Sequence, residues 1–286
     1  MKTIEIDREK CIHCGLCIND CISKCLSFDK DNFPQMTDEK HCLACQHCLA
    51  ICPTGAFRFN GKSAENSEPV NYDELLSLIK SRRSVRQYKD EEVSEETFEK
   101  LKEMLPYIPT GCNSHALHFT IVKKKSVMTE LKNKTNELIL NTMSAIPPAM
   151  NKFEKYKESF EKGEDIIFRG APHMIVVSSP IKAPCASTDP IIALSYIELY
   201  AQHLGLGTCW CGFAQVCIKM FPEICEMIDI PSGYVPVYAM LLGYPKVKYQ
   251  RTIQPEPYPI SEITEVHKKD SCFFCKAKRF IMNFLR

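Results

Sequence analysis

The chain has 286 residues, 45% of them apolar, and a formal net charge of +1. That composition predicts a buried core of one large domain or two smaller ones, excludes general disorder, and offers no electrostatic footprint for nucleic acid. The start MKTIEIDREK lacks the apolar stretch of a secretory signal, and no window reaches the ~18 uninterrupted apolar residues of a membrane helix, so a cytoplasmic protein without membrane contact is expected.

The chain opens on a duplicated cysteine pattern. CIHCGLCINDC occupies residues 11–21 and CLACQHCLAIC residues 42–52, with the same internal spacing and an offset of 31 residues from Cys11 to Cys42. Such duplication suggests one supersecondary unit used twice. The chain has 17 cysteines, an odd count that prevents complete pairing. In a reducing cytosol clustered thiols more often bind metal or carry redox chemistry than form disulfides. Two residues between successive thiols let a tight loop wrap three cysteines around one face of a cubane. Zinc is the rival, but it usually takes two separated pairs and gains nothing from three consecutive thiols at this spacing. Residues 1–60 resemble a two-cluster bacterial ferredoxin. The resemblance implies a crossed ligand set, in which the fourth cysteine of each run serves the other cluster. Cluster one would take Cys11, Cys14, Cys17 and Cys52, and cluster two Cys42, Cys45, Cys48 and Cys21. Pro53 follows Cys52 as in that pattern, whereas Ile22 follows Cys21. Cys25 reads as a small buried hydrophobe.

Residues 61–70, GKSAENSEPV, have linker composition, and a second domain is expected over 71–286. NYDELLSLIKSRRS places Leu75, Leu76 and Ile79 on one helical face. SEETFEKLKEML follows as a helix with Ser94 as N-cap and two glutamates in its first turn. LHFTIVKKK reads as a strand, SVMTELKNKTNELILNTM as a helix and HMIVVSSP as a short buried strand. STDPIIALSYIELYAQHLGLG is the strongest helix, with a polar cap, an early proline and Gly205 at its stop. YVPVYAMLLGYP reads as another strand. Without regular βαβ alternation, the fold class is α+β. His173 and His203 read as packed or capping residues. The tail SCFFCKAKRFIMNFLR, with Cys272 and Cys275, reads as a packing helix rather than a redox pair.

The stretch SRRSVRQY, residues 81–88, carries Arg82, Arg83 and Arg86 around Ser84. Read alone it is either a solvated basic helix end or a site whose guanidinium forks and hydroxyl suit a phosphate. Together with IPTGCNS, LHFTIV, HLGLGTCWCGF and IPSGYVPVYAMLLGYP in that order, it resembles the nitroreductase family of FMN flavoproteins over roughly residues 71–255. The resemblance implies an α+β fold and a homodimer with FMN at each of two interface sites. Arg82, Arg83 and Ser84 would hold the phosphate and ribityl chain. Arg86 would sit at the pyrimidine edge, where a cation stabilises the charge that builds on reduction. Arg251, with Lys248, would reach the phosphate from the far end of the chain. Pro109, Thr110, Gly111 and Asn113 would contribute across the interface. Cys209, Trp210, Cys211 and Gly212 would lie against one flavin face with backbone amides near N5. The family often has Gln-Pro-Trp after its Asn-Ser; here His115, Ala116 and Leu117 follow.

A ferredoxin unit joined to an FMN unit implies wiring. Electrons from a donor, reduced ferredoxin or NAD(P)H, would pass through two [4Fe-4S] clusters to FMN and on to a nitroaromatic, quinone or related conjugated small-molecule acceptor. The flavin supplies the chemistry, so no catalytic side chain is expected. The alternatives are an electron carrier whose flavin unit only docks a partner, and a zinc- or cluster-based sensor without flavin.

Overall fold

The computed structural model describes residues 4–65, 70–145 and 154–264. Cys272 and Cys275, with the expected tail helix, lie outside the described residues. Met1–Arg251 form one compact unit and Thr252–Arg286 another, and all the described helices and strands belong to the first. No helix among the described residues is long and apolar enough to cross a membrane.

The duplicated pattern folds as a duplicated unit. Its elements are β1 (Ile4–Ile6), α1 (Leu16–Asp20), β2 (Leu26–Phe28), β3 (Pro34–Met36), α2 (His47–Ala50) and β4 (Phe57–Phe59). Strands β1 and β4 pair antiparallel, Ile4 opposite Phe59 and Ile6 opposite Phe57, while β2 pairs β3. Each half therefore supplies a strand, a cysteine loop, a short helix and a second strand. Cys17, Leu26, Cys48, Leu49 and Phe57 form a small shared core. Strand β5 (Lys62–Ser63) extends this segment past residue 60 by pairing with β4. Its turn is Asn60-Gly61, with φ 49° and 76°, the left-handed pair that a two-residue hairpin requires.

After residue 70 come α3 (Tyr72–Ser81), α4 (Glu95–Glu103), β6 (His118–Val122), α5 (Lys125–Ala145), α6 (Lys157–Glu161), β7 (His173–Pro180), α7 (Asp189–His203), β8 (Gly207–Trp210), α8 (Gly212–Met220), α9 (Pro222–Met227) and β9 (Tyr234–Gly243). The sheet is antiparallel throughout, in the order β6-β7-β9-β8. Its two central strands alternate between two cores. Met174, Val176, Ala239 and Leu241 face Leu131 and Ile139 of α5 and Ile218 of α8. Ile175, Val177, Met240 and Leu242 face Leu194 and Ile197 of α7 and Phe98 of α4. Burying each such side chain contributes roughly 1.5–3 kcal/mol. Being covered on both faces is why HMIVVSSP is continuously apolar at its start rather than alternating. The α+β architecture follows from this layering.

Local signals set the boundaries. Asn71 caps α3 through Asp73 N, and Ser94 caps α4 through Thr97 N, as its sequence position predicts. Helix α7 ends in a double turn: Leu206 N donates to Ala201 O at 2.8 Å and Gly205 N to Gln202 O at 3.0 Å, with Gly205 at φ 79°. Among the described residues the apolar stripe of helix α3 stays open, with Leu75 47% and Ile79 48% exposed. His203 is exposed and stacks on Tyr200.

His173 is fully buried, as a packed residue should be. Its Nε2 accepts from Val93 N at 2.8 Å, and its ring meets Phe98 edge-on. Burial pushes its pKa below the ordinary histidine value. An unfolded chain then takes up a proton before the native one does as pH falls. We expect stability to decline as pH drops below about 6.5, and His173→Gln to remove that part of the slope. Denaturation midpoints at pH 7.5 and 5.5 check this; an identical slope in both proteins would count against it.

Candidate functional site

The described thiols of the first segment gather into two chambers. Cys11, Cys14, Cys17 and Cys52 line one. Cys42, Cys45, Cys48 and Cys21 line another, together with Cys25. The fourth cysteine of each run has crossed to the other run's chamber. The remaining lining is mostly apolar, including Ile12, Leu16 and Phe57 in one and Ile22, Leu26 and Met36 in the other, with Thr54 in the first and Ser23, Gln46 and His47 in the second.

The backbone shows why these loops can wrap a cluster. His13 and Gly15 are left-handed at φ 58° and 71°, and their counterparts 31 residues on, Ala44 and Gln46, are left-handed at φ 53° and 59°. Lys24 and Gly55 match in the same way, at φ 55° and 61°. A non-glycine residue in this region costs roughly 1–2 kcal/mol, and such outliers concentrate where a site requires them. The fourth thiols are duplicated too. Cys25 N donates to Cys21 Sγ and Ala56 N to Cys52 Sγ, both at 3.3 Å. Burial pushes the Cys17 thiol up and Cys48 to about 11. Burial also raises Cys52, but hydrogen bonds from Ala56, Thr54 and Gly55 outweigh it and leave that thiol lowered. Cys25 is 1% exposed and pushed to about 11 by burial, as an inert packing thiol would be. Among the described residues no three Cys, His, Asp or Glu side chains close on a single ion. The thiols instead surround chambers, and a cubane asks each thiol to reach only its own corner iron. The donor set, two chambers of four thiols each, fits two [4Fe-4S] clusters.

A second constellation lies along β8. The segment after α3 runs beside it, with Ser84 bridged in parallel to Thr208 and Val85 N donating to Thr208 O at 2.8 Å. Gly207 permits this approach, since a Cβ there would come within 2.7 Å of Val85. Two cavities flank the paired strands. One, of about 450 Å3, is lined by Arg86, Arg169, Cys209, Trp210, Cys211 and Gly212 among others. The other, of about 1130 Å3, is lined by Arg83, Lys246, Lys248 and Tyr249 with Gly205–Thr208. The trench is thus cationic at both ends. Cys211 caps α8, its Sγ accepting from Ala214 N at 3.4 Å and donating to Ile167 O at 3.3 Å. Burial pushes Cys209 up and Cys211 to about 11. Burial of this kind favours the neutral thiol at both positions.

The chain belongs to the nitroreductase family. The model of that family matches residues 79–244, and a 4Fe-4S dicluster domain matches residues 3–62. A candidate NADH dehydrogenase or NAD(P)H nitroreductase of Archaeoglobus fulgidus is 26% identical over 177 residues, 61% of this chain and 87% of that protein. A ferredoxin of Methanocaldococcus jannaschii is 40% identical over 55 residues, 18% of this chain and 71% of its own. A nitroreductase of Desulfitobacterium hafniense, solved with bound FMN, aligns with a TM-score of 0.52 and 26% identity, covering 70% of this chain and all of that one.

Within this nitroreductase fold, the residues read from sequence do not all fall in one place. Arg86 and Cys209–Gly212 share one cavity, and Arg83 and Lys248 share the other. Arg82 lies beside them but is already engaged, its guanidinium 3.1 Å from Glu198. Ser84 makes an isolated bridge to Thr208 between them, and Arg251 is exposed. Pro109, Thr110, Gly111 and Asn113 line neither cavity of this chain. Gly111 is packed against Cys185, where a Cβ would come within 2.5 Å of Sγ. The Asn113 amide donates to Leu43 O and Ala44 O in the second cysteine loop, at 3.1 and 3.2 Å. Arg169 and Lys246 escaped sequence reading. Arg169 is a single arginine before a Gly-Ala-Pro turn, with φ 58° as its only unusual feature, and nothing in the sequence places it in one cavity with Arg86.

Proposed function

We propose that this chain is an iron–sulfur flavoprotein oxidoreductase, in which electrons from a low-potential donor pass through the two clusters to FMN and on to a nitroaromatic, quinone or similar conjugated acceptor. The observation that carries it is the presence, in one compact unit, of two four-thiol chambers and a cationic trench along β8. FMN, when bound, links one-electron donors to two-electron acceptors. The protein's part is to bind, orient and polarise. Arg83, Lys246 and Lys248 would hold the phosphate, with Arg251 swinging in from the chain beyond β9. Arg86 and Arg169 would face the ring, where two fixed cations favour added negative charge. Where β8 gives way to α8 the Cys211 amide already donates to Ala239 O at 2.9 Å, so the Gly212 amide would be the one at that edge. No side chain here is assigned as a nucleophile or an acid.

A homodimer is part of this reading. The uncovered stripe of α3, with Tyr72, Leu75 and Ile79 exposed, and Tyr196 on α7 are apolar groups that a second copy would cover. Reduced ferredoxin and NAD(P)H are both donors of suitable chemistry. The test is composition and turnover on one anaerobic sample. We expect about eight irons, matching sulfide and one FMN per chain, with a reduced donor oxidised only when a nitroaromatic or quinone is present. Zinc without flavin would end the reading, and cluster-bound protein with no acceptor dependence would make it a carrier.

A further inference from the structure

We propose that the loop Thr110–His115 is a latch that seats the cluster of Cys42, Cys45, Cys48 and Cys21 against the flavin unit, with Asn113 as its positioning residue, so that electrons leave the cluster pair from this side; this rests on the function proposed above. Leu43 and Ala44, whose carbonyls accept from Asn113, are the two residues between the ligand candidates Cys42 and Cys45. The equivalent loop of the first half is held differently. There the His13 ring contacts Asn32 O at 2.7 Å and packs on Phe33, both within the ferredoxin segment.

The latch is oriented by chemistry. Backbone carbonyls only accept, so the Asn113 Nδ2 must face them. Its Oδ1 then faces His115 Nε2 at 3.1 Å, which must carry the proton and donate. Cys112, Asn113 and His115 have φ of 53°, 51° and 45°. Three left-handed non-glycine residues in so short a span persist only where the surroundings impose them. The restraints are visible. Gly111 N donates to the buried Asp189 carboxylate at 3.0 and 3.1 Å, and His115 N donates to Thr110 Oγ1 at 3.0 Å.

Asp189 begins α7, and Glu198, nine residues further along the same helix, pairs with Arg82 at the trench. At 1.5 Å per residue the two lie about 13–14 Å apart along a rigid rod. One helix therefore anchors both the latch and the arginine segment. Because electron transfer slows steeply with distance, a fixed placement of the second cysteine loop relative to the arginine segment would matter for the rate. Each transfer oxidises the cluster by one electron; two such transfers, with protons from solvent, complete reduction of the flavin, and dithionite supplies the electrons in the test below.

Asn113→Asp keeps the side chain's shape and its tolerance of left-handed backbone, but sets an acceptor against two carbonyls. The holoprotein is mixed anaerobically with dithionite and flavin bleaching is followed. Cys45→Ala, which lacks this cluster, gives the baseline for direct flavin reduction. Losing two hydrogen bonds and adding repulsion should slow the cluster-dependent phase roughly tenfold or more. Hydrogen exchange at amides 43–46 should quicken while iron content stays as in the parent. Asn113→Ala, which removes the bonds without the repulsion, should show the same changes to a smaller degree and serves if the aspartate variant does not fold. Unchanged exchange and unchanged transfer would overturn the proposal. So would FMN loss with exchange at 43–46 unchanged, which would make Asn113 a flavin ligand instead. If the parent shows no cluster-dependent flavin reduction, the function proposed above fails, yet the exchange measurement still decides whether the latch exists.

Discussion

Cys52→Ala together with Cys14→Ala should leave half of the protein's iron in place, whereas Cys52→Ala together with Cys48→Ala should remove nearly all of it. Both doubles delete two thiols, and the second takes both from one sequence run. The outcome differs because Cys52 and Cys14 line one chamber, while Cys48 lines the other with Cys45 and Cys21. A cluster that has lost one ligand has little left to lose from a second deletion in the same chamber, so the first pair is non-additive and the other additive. The expected values are about four irons per chain for Cys14→Ala/Cys52→Ala and near none for Cys48→Ala/Cys52→Ala, against about eight in the parent. Iron and sulfide analysis on anaerobically purified protein reads the result. The reverse pattern would mean that each run closes its own site, contrary to the crossed chambers. Cys14 is the exposed member of its set and its replacement leaves no core cavity, whereas Cys48 is buried. Cys48→Ala alone should therefore cost some folding stability as well as a cluster.

Arg82→Ala should be the most damaging single change beside the trench, and for two separable reasons. Its guanidinium meets Glu198 at 3.1 Å, where the carboxylate side chain is only 10% exposed and the arginine 37%. Removing the arginine strands that carboxylate. For fully buried pairs such truncation costs 3–5 kcal/mol, and the partial exposure of Arg82 lowers the expectation to about 2–3 kcal/mol. The second loss is a cation beside the proposed phosphate site. The double variant Arg82→Ala/Glu198→Gln separates them. It should recover most of the thermal stability, because no unpaired charge remains, but not FMN retention measured by filtration and fluorescence. Recovery of both would reduce Arg82 to a structural partner of Glu198. Flavin occupancy unchanged in the single variant would remove it from the site.

The elements differed in how readable they were. The capped helices over 72–81 and 95–103 and the buried strand at 173–180 carry their signals locally: Asn71 and Ser94 offer side-chain acceptors to exposed amides, and a central strand is continuously apolar. The hairpin turn at Asn60-Gly61 was equally local, but linker-like composition around it masked the signal. Strand β8 and helix α8 were not legible. GTCW is short, and its pairing partner, β9, lies some thirty residues away. The cap of α8 is a cysteine, which no capping preference would single out. In the trench, the arginines of SRRSVR drew attention by their density. Arg169 and Lys246 did not, because each is a lone cation brought near by the fold.

By itself the sequence determined the duplicated thiol spacing and the order of elements, because ligand spacing, helix caps and apolar periodicity act over a few residues. Only the tertiary structure decided what meets what. Gathering each fourth cysteine into the other chamber, bringing Arg169 into one cavity with Arg86, burying Glu198 against Arg82 and closing Asn113 on Leu43 and Ala44 all join residues far apart in the chain. Such contacts are bought with the packing of two whole cores, and no local stretch carries their signature.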